Sequence, residues 1–158
     1  MIEGYVGASG AGKSYLALKR FKVVLSPDAK DGEFLVSPIP GELPKAIGWM
    51  LQKGVREFLV DELEAYCMAD RVGLPALIKS IAQRSRHFGV VFGFTSKRPA
   101  AVPLDLFASP TLYLFRVQMP VDAAVFRAWA TAQELGTLPD RQYIYVERGQ
   151  RAEGVRNT

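Results

Sequence analysis

The fold is decided by residues 7–14, GASGAGKS, which form a complete Gly-x-x-x-x-Gly-Lys-Ser pattern. Glycines in such a loop let backbone N–H groups point at a phosphate without interference from Cβ atoms. The apolar stretch IEGYV at residues 2–6 predicts a buried strand before the loop, and apolar residues spaced three and four apart predict a helix over 13–25 after it. This succession of strand, loop and helix is typical of a phosphate-binding loop, or P-loop, in which the positive end of the helix faces the anion.

The P-loop predicts a nucleotide site made of nine consecutive residues: Gly7, Ala8, Ser9, Gly10, Ala11, Gly12, Lys13, Ser14 and Tyr15. Lys13 is predicted to be catalytic, because its ammonium group lies between the β- and γ-phosphates in loops of this kind. The Ser14 hydroxyl is predicted to be a magnesium ligand. ATP and Mg²⁺ are therefore the predicted cofactors.

A second part of the site is predicted at the end of an apolar strand over 55–60, where Asp61 and Glu62 follow directly. Parallel sheets bind ligands at the carboxyl ends of their strands. Asp61 is placed to hold the magnesium ion, and Glu62 is placed to orient and activate an attacking water. This second acid favours hydrolysis over transfer to a small-molecule acceptor. Glu64 is expected to point away from the site, at the surface.

The third part is predicted where an apolar strand over 89–94 ends in Thr95-Ser96-Lys97-Arg98-Pro99. A polar group here would lie beside the γ-phosphate, between the other two parts; the alternative is a solvated basic loop. His87 is not expected to be catalytic. Cys67 is the one cysteine, which excludes an internal disulfide and a cysteine-based zinc site, and nothing nearby is expected to activate it.

The remaining pattern predicts an α/β fold with a mainly parallel sheet, since strands alternate with helices along the chain. At 158 residues the chain is expected to be one P-loop ATPase domain over 1–148, followed by a polar, frayed tail over 149–158. The other predicted elements are strands over 34–36, 112–117 and 142–146 (the last at a sheet edge), helices over 44–52, 74–86 and 121–133, and a turn at Asp31-Gly32.

Charge is unevenly distributed along the sequence. The net charge is +4, yet residues 71–104 contain six basic side chains and no acidic one. This segment is either a solvated basic surface or an anion-binding one, facing a neighbour's nucleotide or a nucleic-acid backbone. No apolar run approaches the roughly 18 residues of a membrane span, and residues 1–4 do not resemble a secretory signal. An intracellular protein is expected.

Several later stretches resemble the FtsK/HerA superfamily of DNA-pumping ATPases. That group typically has an Arg-His-x-Gly run, a strand ending in Thr-Gln-Arg-Pro and a following strand ending in Phe-Arg. The matching stretches here are residues 83–89 (QRSRHFG), 95–99 (TSKRP), Ser109-Pro110 and 113–116 (YLFR). With the P-loop and Asp61-Glu62, the resemblance covers roughly residues 1–130. It implies a P-loop NTPase fold of the RecA/ASCE-like kind, a three-layer sandwich.

Within the superfamily the chain is most similar to the genome-packaging ATPases of tailless, membrane-containing bacteriophages and their archaeal-virus relatives. It starts on the P-loop strand, so an accessory N-terminal domain and a transmembrane region are expected to be absent. The resemblance implies a homo-oligomeric ring that binds double-stranded DNA without sequence preference. It also implies partners at a capsid vertex or among membrane-associated viral proteins, and a location in the host cytoplasm, the virion or both.

The resemblance also implies a sensor residue and an arginine that acts on a neighbouring subunit. Lys97 falls where the family usually has a sensor glutamine, and a lysine cannot accept a hydrogen bond from the attacking water. Either Lys97 contacts the γ-phosphate as a cation, or Ser96 takes the sensing role. The candidates for the arginine are Arg84, Arg86 and Arg116, with Arg86 favoured.

Three alternative functions remain open from the sequence. A small nucleoside or metabolite kinase fits the P-loop and the length, although residues 119–141 contain only two arginines where such kinases have an arginine-rich lid. A filamentous-phage-type assembly ATPase shares the Arg-His-x-Gly run. A non-catalytic nucleotide switch is disfavoured by Asp61 and Glu62.

Overall fold

The computed structural model of the chain describes residues 1–28, 33–108 and 110–158, and the side chains of Arg86 and Phe88 are not among those described. The described residues form nine strands: β1 (Ile2–Val6), β2 (Val24–Ser26), β3 (Phe34–Leu35), β4 (Glu57–Val60), β5 (Val91–Ser96), β6 (Thr111–Leu114), β7 (Gln142–Glu147), β8 (Gln150–Arg151) and β9 (Arg156–Asn157).

The strands form one sheet in the order β3-β2-β4-β5-β1-β6-β7-β8, with β9 also pairing with β7. All pairs from β3 to β6 are parallel, and the pairs that involve β7 are antiparallel. The predicted mainly parallel α/β sheet is therefore confirmed. All six residues of β5 are buried, because this strand lies between the P-loop strand β1 and the acidic strand β4.

Helices cover both faces of the sheet and make three layers. They are α1 (Lys13–Arg20), α2 (Glu42–Gln52), α3 (Leu63–Ala69), α4 (Gly73–Phe88), α5 (Pro120–Ala123) and α6 (Ala132–Thr137). Side chains alternate along β4, so that Phe58 and Val60 join the large core cluster with α2, α3 and α4, whereas Leu59 joins a smaller cluster with α1.

The predicted helix over 13–25 is wrong at its end. The helix α1 stops at Arg20, because Phe21 adopts an extended conformation, and Val24–Ser26 then form β2. The buried β2 pairs with β4, so sheet pairing overrides the helical spacing of the apolar residues. The short helix α3 was not predicted at all.

The predicted helix over 121–133 is also wrong. Residues 120–126 form one turn of α-helix and a 3₁₀ turn, and α6 begins only after Thr131. Thr131 and Glu134 form a reciprocal capping box, which starts a new helix where continuation of the old one was expected. The tail over 149–158, predicted to be frayed, instead pairs with β7 through β8 and β9.

The other predicted strands and helices are present, with ends shifted by up to three residues. The predicted turn at Asp31-Gly32 lies outside the described residues. Among the described residues, every predicted strand that leads into the candidate site is present. The residues predicted for the site therefore lie at the ends of the strands from which they were predicted.

Candidate active site

The P-loop lies between β1 and α1 and is attached to three neighbouring segments. Three backbone hydrogen bonds make the attachment: Gly7 N–H to Ser96 O at 3.0 Å, Ala8 N–H to Arg116 O at 2.8 Å, and Arg141 N–H to Ala11 O at 2.8 Å. Ser96 ends β5, Arg116 follows β6, and Arg141 follows α6. The loop is therefore held at the carboxyl edge of the sheet, which we define as the edge where β1, β4, β5 and β6 end.

Two glycines are required by the shape of this loop. Gly7 has φ of 156°, and a Cβ there would lie 2.7 Å from the Phe115 Cβ. Gly12 has φ of 109° and packs against the Arg141 backbone. A Cβ on Gly12 would lie 3.2 Å from the Arg141 Cα. Any other residue at Gly7 would collide with the core, so the first glycine of the motif is needed for packing as well as for phosphate access.

Lys13 is buried, with 8% of its surface exposed, and its Nζ lies 3.5 Å from the Ala8 carbonyl oxygen. Burial lowers the pKa of Lys13, while the charges of Glu64, Asp61 and Glu62 act to raise it, in that order of size. A long hydrogen bond to one carbonyl leaves most of the ammonium's donor capacity unused. Lys13 is thus available for an anion, as predicted for a phosphate contact.

Asp61 and Glu62 are joined to β5 by one threonine that the sequence analysis did not assign. The fully buried Thr95 hydroxyl donates to Asp61 Oδ1 at 2.5 Å and accepts from the Glu62 N–H at 2.8 Å. Glu62 has φ of 53°, an unfavourable backbone conformation for glutamate. Thr95 therefore fixes both acids in place; the sequence showed it only as the first residue of the stretch 95–99 (TSKRP), with no role of its own.

Glu62 is half-buried at the end of β4. Burial raises the pKa of Glu62, the neighbouring Asp61 charge raises it further, and the Lys97 charge lowers it. A carboxylate in such surroundings is a better proton acceptor than one in water. This fits the predicted role in activating water.

Glu64 is not at the surface, and the prediction that it points away from the site is wrong. Only 5% of its surface is exposed, and its Oε1 accepts the Lys97 N–H at 3.3 Å. The reason is the unpredicted helix α3, whose first turn faces β5 instead of continuing into solvent.

Of the predicted sensor residues, Ser96 ends β5 and Lys97 lies in the turn that follows it. Ser96 is fully buried, its Oγ accepts the Arg98 N–H at 3.1 Å, and its carbonyl holds Gly7. The Lys97 side chain is exposed, and its charge acts on both Lys13 and Glu62. The structure thus brings Lys97 to the site as a cation, whereas the Ser96 hydroxyl is used within its own turn; both sensor assignments stay predictions.

Arg116 lies beside its own P-loop. Its Nη1 is 2.7 Å from Asp140 Oδ1 and donates to the Leu138 carbonyl at 3.2 Å, while the Arg116 carbonyl holds Ala8. Action on a neighbouring subunit would require the ion pair with Asp140 to open.

Arg84 lies at the opposite, amino edge of the sheet. It is exposed near the end of α4 and lines a cavity of about 310 Å³ together with Arg56 and Val90, which precede β4 and β5. Arg84 is therefore far from the P-loop of its own chain. The side chain of Arg86 lies outside the described part of the chain, although its backbone belongs to α4.

Tyr15 of the predicted nucleotide site is exposed on α1 between two cations. The Lys19 Nζ lies 4.2 Å and the Arg141 Cζ lies 5.6 Å from the centre of its ring. Arg141 has a φ of 67° and is also bonded to the P-loop. Arg141 was not among the predicted site residues, because it lies far from the P-loop motifs along the chain.

Four of the basic residues of 71–104 whose side chains the structure describes do not form one surface. Lys97 and Arg98 lie at the carboxyl edge, and Arg98 Nε donates to the buried Asp122 at 2.8 Å. Arg84 lies at the amino edge, and Lys79 is exposed between them along α4. The basic segment thus extends from one edge of the sheet to the other.

The predicted magnesium ligands fit a magnesium ion that is held mainly by substrate. Ser14 is the second residue of α1, and Asp61 directly follows β4. Among the described residues there is no group of three or more histidine, cysteine, aspartate or glutamate side chains that could hold a metal. One hydroxyl and one carboxylate suit Mg²⁺, which usually keeps several waters and binds substrate phosphates.

Solved structures resemble the chain over nearly its whole length. The genome-packaging NTPase B204 from Sulfolobus turreted icosahedral virus 2, in complex with ATP-gammaS, has a TM-score of 0.71 at 10% identity, covering 99% of this chain and 96% of that one. The chain has a P-loop NTPase fold. B204 from Sulfolobus turreted icosahedral virus, a DNA-packaging ATPase, has a TM-score of 0.66 at 11% identity, with coverage of 99% and 96%.

The flagellar accessory protein FlaH from Methanocaldococcus jannaschii is a more distant P-loop NTPase neighbour, with a TM-score of 0.54 at 12% identity and coverage of 99% and 89%. The sequence matches no protein-family model and no curated protein sequence. The resemblance to packaging ATPases of tailless viruses is thus confirmed as a resemblance of fold. None of the described helices is long and apolar enough to cross a membrane.

Proposed function

We propose that this protein is a magnesium-dependent ATP hydrolase that moves double-stranded DNA as a subunit of a homo-oligomeric ring, in the setting of viral genome packaging. The observation that carries the proposal is the buried arrangement around Thr95, which joins Asp61 and Glu62 and lies on the strand next to the P-loop. This arrangement holds two acids at the edge where Lys13 is available for phosphate.

In the proposed reaction a water molecule attacks the γ-phosphorus of ATP. The bond between the γ-phosphorus and the β,γ-bridging oxygen breaks, the water's proton passes to the Glu62 carboxylate, and ADP and phosphate are the products. Lys13 neutralises charge on the β- and γ-phosphates. Mg²⁺, held by Ser14 and Asp61, would add further charge neutralisation when bound.

Packaging as the setting is supported by the structural neighbours. B204 is described as a genome-packaging NTPase and as a DNA-packaging ATPase, and its fold covers almost all of this chain. Arg84 is exposed at the edge remote from its own P-loop, so in the proposed ring any nucleotide that it contacts would belong to a neighbouring subunit. A capsid vertex or membrane-associated viral proteins as partners, and the host cytoplasm or virion as location, belong to the same proposal.

The kinase alternative receives no support from the region that would form its lid. Residues 119–141 pack into the core, with Phe126 and Leu135 fully buried. A lid must open and close over the phosphates. Because Phe126 and Leu135 hold this segment against the core, it is not free to move as a lid does. Transfer to a small-molecule acceptor is therefore not proposed.

The test measures ATP turnover by the purified protein with and without double-stranded DNA. Hydrolysis with water alone, accelerated by DNA of any sequence, is expected, and DNA binding should weaken steeply with salt because bound counterions are released. Lys79→Ala should lower the salt slope by about one unit. Hydrolysis that DNA does not change would contradict translocation, and phosphoryl transfer to a nucleoside would favour the kinase.

A further inference from the structure

Arg141 is attached to the P-loop by its main chain, and its side chain is not needed for the attachment. Its N–H donates to the Ala11 carbonyl at 2.8 Å, its carbonyl accepts the Thr158 N–H at 3.0 Å, and its φ of 67° is unfavourable for a residue other than glycine. The side chain is exposed, and no described residue forms a hydrogen bond or an ion pair with its guanidinium. These contacts therefore fix an exposed cation beside the predicted nucleotide site.

The Arg141 side chain runs from the P-loop to a tyrosine on α1. Its Cγ lies close to Gly12, where an added Cβ would be 3.5 Å from it. Its Cζ lies 5.6 Å from the centre of the Tyr15 ring, within the roughly 6 Å reach of a cation–π contact. The Tyr15 side chain is itself 50% exposed. The guanidinium, a planar group that stacks on aromatic rings, is thus held next to the loop with access to solvent.

The order of strands puts Arg141 on the opposite side of the P-loop from the two acids. Asp61 and Glu62 follow β4, which β5 separates from the P-loop strand β1. Arg141 precedes β7, which β6 separates from β1 on the other side, and because β7 is antiparallel its first residue lies at the carboxyl edge. In the proposed reaction the γ-phosphate lies on the side of the acids, because Glu62 takes the proton of the attacking water. The triphosphate crosses the loop from there, so the nucleoside extends toward Arg141 and Tyr15.

We propose that the Arg141 guanidinium is the platform on which the nucleobase stacks, with Tyr15 holding it in place. A stacked guanidinium contacts the flat face of a base and leaves the hydrogen-bonding groups at its edge unread. The site therefore prefers purines, which have two fused rings, over pyrimidines, and it accepts adenine and guanine about equally. The proposal rests on the proposed function, because it takes a nucleoside triphosphate cleaved beside Glu62 as the ligand of the P-loop.

The experiment measures how much the base adds to binding. Isothermal titration calorimetry with the full chain and magnesium chloride gives the affinities for ADP, GDP, CDP and pyrophosphate, so that turnover is not needed. Wild type should bind ADP and GDP with affinities within about threefold of each other and about fivefold tighter than CDP. A purine offers the larger face, and a stacked base adds about 5- to 150-fold to affinity. Pyrophosphate reports binding of the phosphates without a base.

Variants at Arg141 separate stacking from charge. Arg141→Lys keeps the positive charge but has no planar face, so the affinities for ADP and GDP should fall by about tenfold while the affinity for pyrophosphate stays unchanged. Tyr15→Leu should cause a smaller loss for the same two nucleotides, because the guanidinium remains but is less firmly held. The control is Arg148→Lys, which changes an exposed arginine with φ of 48° directly after β7, at the amino edge. It should keep all four wild-type affinities.

The outcomes separate the base site from the proposed function. Equal losses for ADP and pyrophosphate in Arg141→Lys would show that Arg141 acts on phosphate, and four unchanged affinities in that variant would show that the base binds elsewhere. Either result overturns the base site and leaves the proposed function standing. A stronger preference for ADP over GDP than the expected one would overturn stacking in favour of recognition at the base edge. If wild type binds neither ADP nor pyrophosphate, the proposed function fails and the base site fails with it.

Discussion

The two edges of the sheet place their polar groups in opposite surroundings. At the carboxyl edge Lys13, Glu64 and Thr95 are buried, with exposures of 8%, 5% and 0%. At the amino edge Arg84 is exposed, and the ion pair between Arg20 and Glu57 is open to solvent, with side-chain exposures of 35% and 54%. Burying polar groups costs stability unless they are fully paired. The buried acid nearest the amino edge, Glu3, is paired with Arg20 at 3.3 Å and with the Tyr5 hydroxyl at 3.2 Å, whereas one Glu64 oxygen at the carboxyl edge has no hydrogen-bond partner.

This difference separates two kinds of chemistry. In the proposed function the buried groups would surround a nucleotide and shield it from water, and their effects would depend on their exact neighbours. The exposed groups have room to meet a second molecule. We therefore expect carboxyl-edge substitutions to act within their own subunit and amino-edge substitutions to act across a subunit boundary.

The largest effect is expected for Lys13→Ala at the carboxyl edge. Hydrolysis should fall by about a thousandfold or more, because a preorganised cation is lost from the transition state, while the fold persists. Steady-state ATP turnover measures this, with circular dichroism as the check on folding. Lys22→Ala, which changes an exposed lysine just after α1, is the control; normal turnover by Lys13→Ala would remove the basis for the site.

The next largest effect tests the amino edge. Either Arg84→Ala or Arg86→Ala should reduce hydrolysis by about a thousandfold, since an arginine acting in trans contributes that much, while DNA binding and its salt slope are unchanged. Mixing the inactive variant with Lys13→Ala subunits should restore part of the activity, because some interfaces combine an intact P-loop with an intact arginine.

Arg116→Ala serves as the comparison in the same mixing experiment. Its position beside its own P-loop predicts that mixing with Lys13→Ala restores nothing. Ring assembly in each mixture is confirmed by light scattering. The contrast between the edges would be reversed if mixing restored hydrolysis for Arg116→Ala but not for Arg84→Ala or Arg86→Ala.

Glu62→Gln is expected to slow hydrolysis by about 10² to 10³, in the lower part of the roughly 10²- to 10⁴-fold range for loss of a general base. The amide keeps the size of the side chain but cannot take the water's proton, so ATP binding should remain. Single-turnover kinetics with a separate binding titration distinguish these effects. Loss of binding with unchanged turnover per bound ATP would make Glu62 a metal-shell or structural residue.

Thr95→Val should have a smaller effect, with turnover reduced by about 10- to 100-fold, as for loss of a residue that orients metal ligands. It removes the hydroxyl that bonds both Asp61 and Glu62, so the melting temperature should also fall. Thr95→Ser keeps the hydroxyl and should recover most of the activity. A loss in Thr95→Ser with none in Thr95→Val would show that the methyl group, and not the hydroxyl, matters.

The smallest effect concerns Cys67, which is buried close behind Glu64. Burial raises the pKa of the Cys67 thiol to about 12, and the Glu64 charge contributes in the same direction. At pH 8 only about one molecule in 10⁴ would hold the thiolate, so alkylation by iodoacetamide should be far slower than in urea. Rapid labelling of the folded protein would show that α3 opens readily.

The parts of the site that sequence motifs specify were predictable. The P-loop requires glycines at fixed spacing, and Asp61 directly follows an apolar strand, so local pattern was sufficient for both. Strand β5 was recognisable from its uninterrupted apolar residues, which suit a strand buried on both faces.

The parts that depend on distant segments were not predictable. Residues 24–26 have helical spacing with the residues before them, but pairing with β4 makes them a strand. Glu64 looked solvent-exposed because α3 has too few residues for a clear periodicity, and only its packing against β5 buries the side chain. Arg141 directly precedes β7 and reaches the P-loop through its backbone N–H, a contact that has no signature in the local sequence.

The backbone attachment of the P-loop has a consequence for how such a chain can change in evolution. All three of its anchors, at Ser96, Arg116 and Arg141, use main-chain atoms, so their geometry does not depend on which side chains those positions have. Substitutions can therefore accumulate there without releasing the loop, provided that the strands keep their register. A scaffold supported in this way can keep its fold at very low sequence identity, as the 10–12% identities to solved structures of the same fold illustrate.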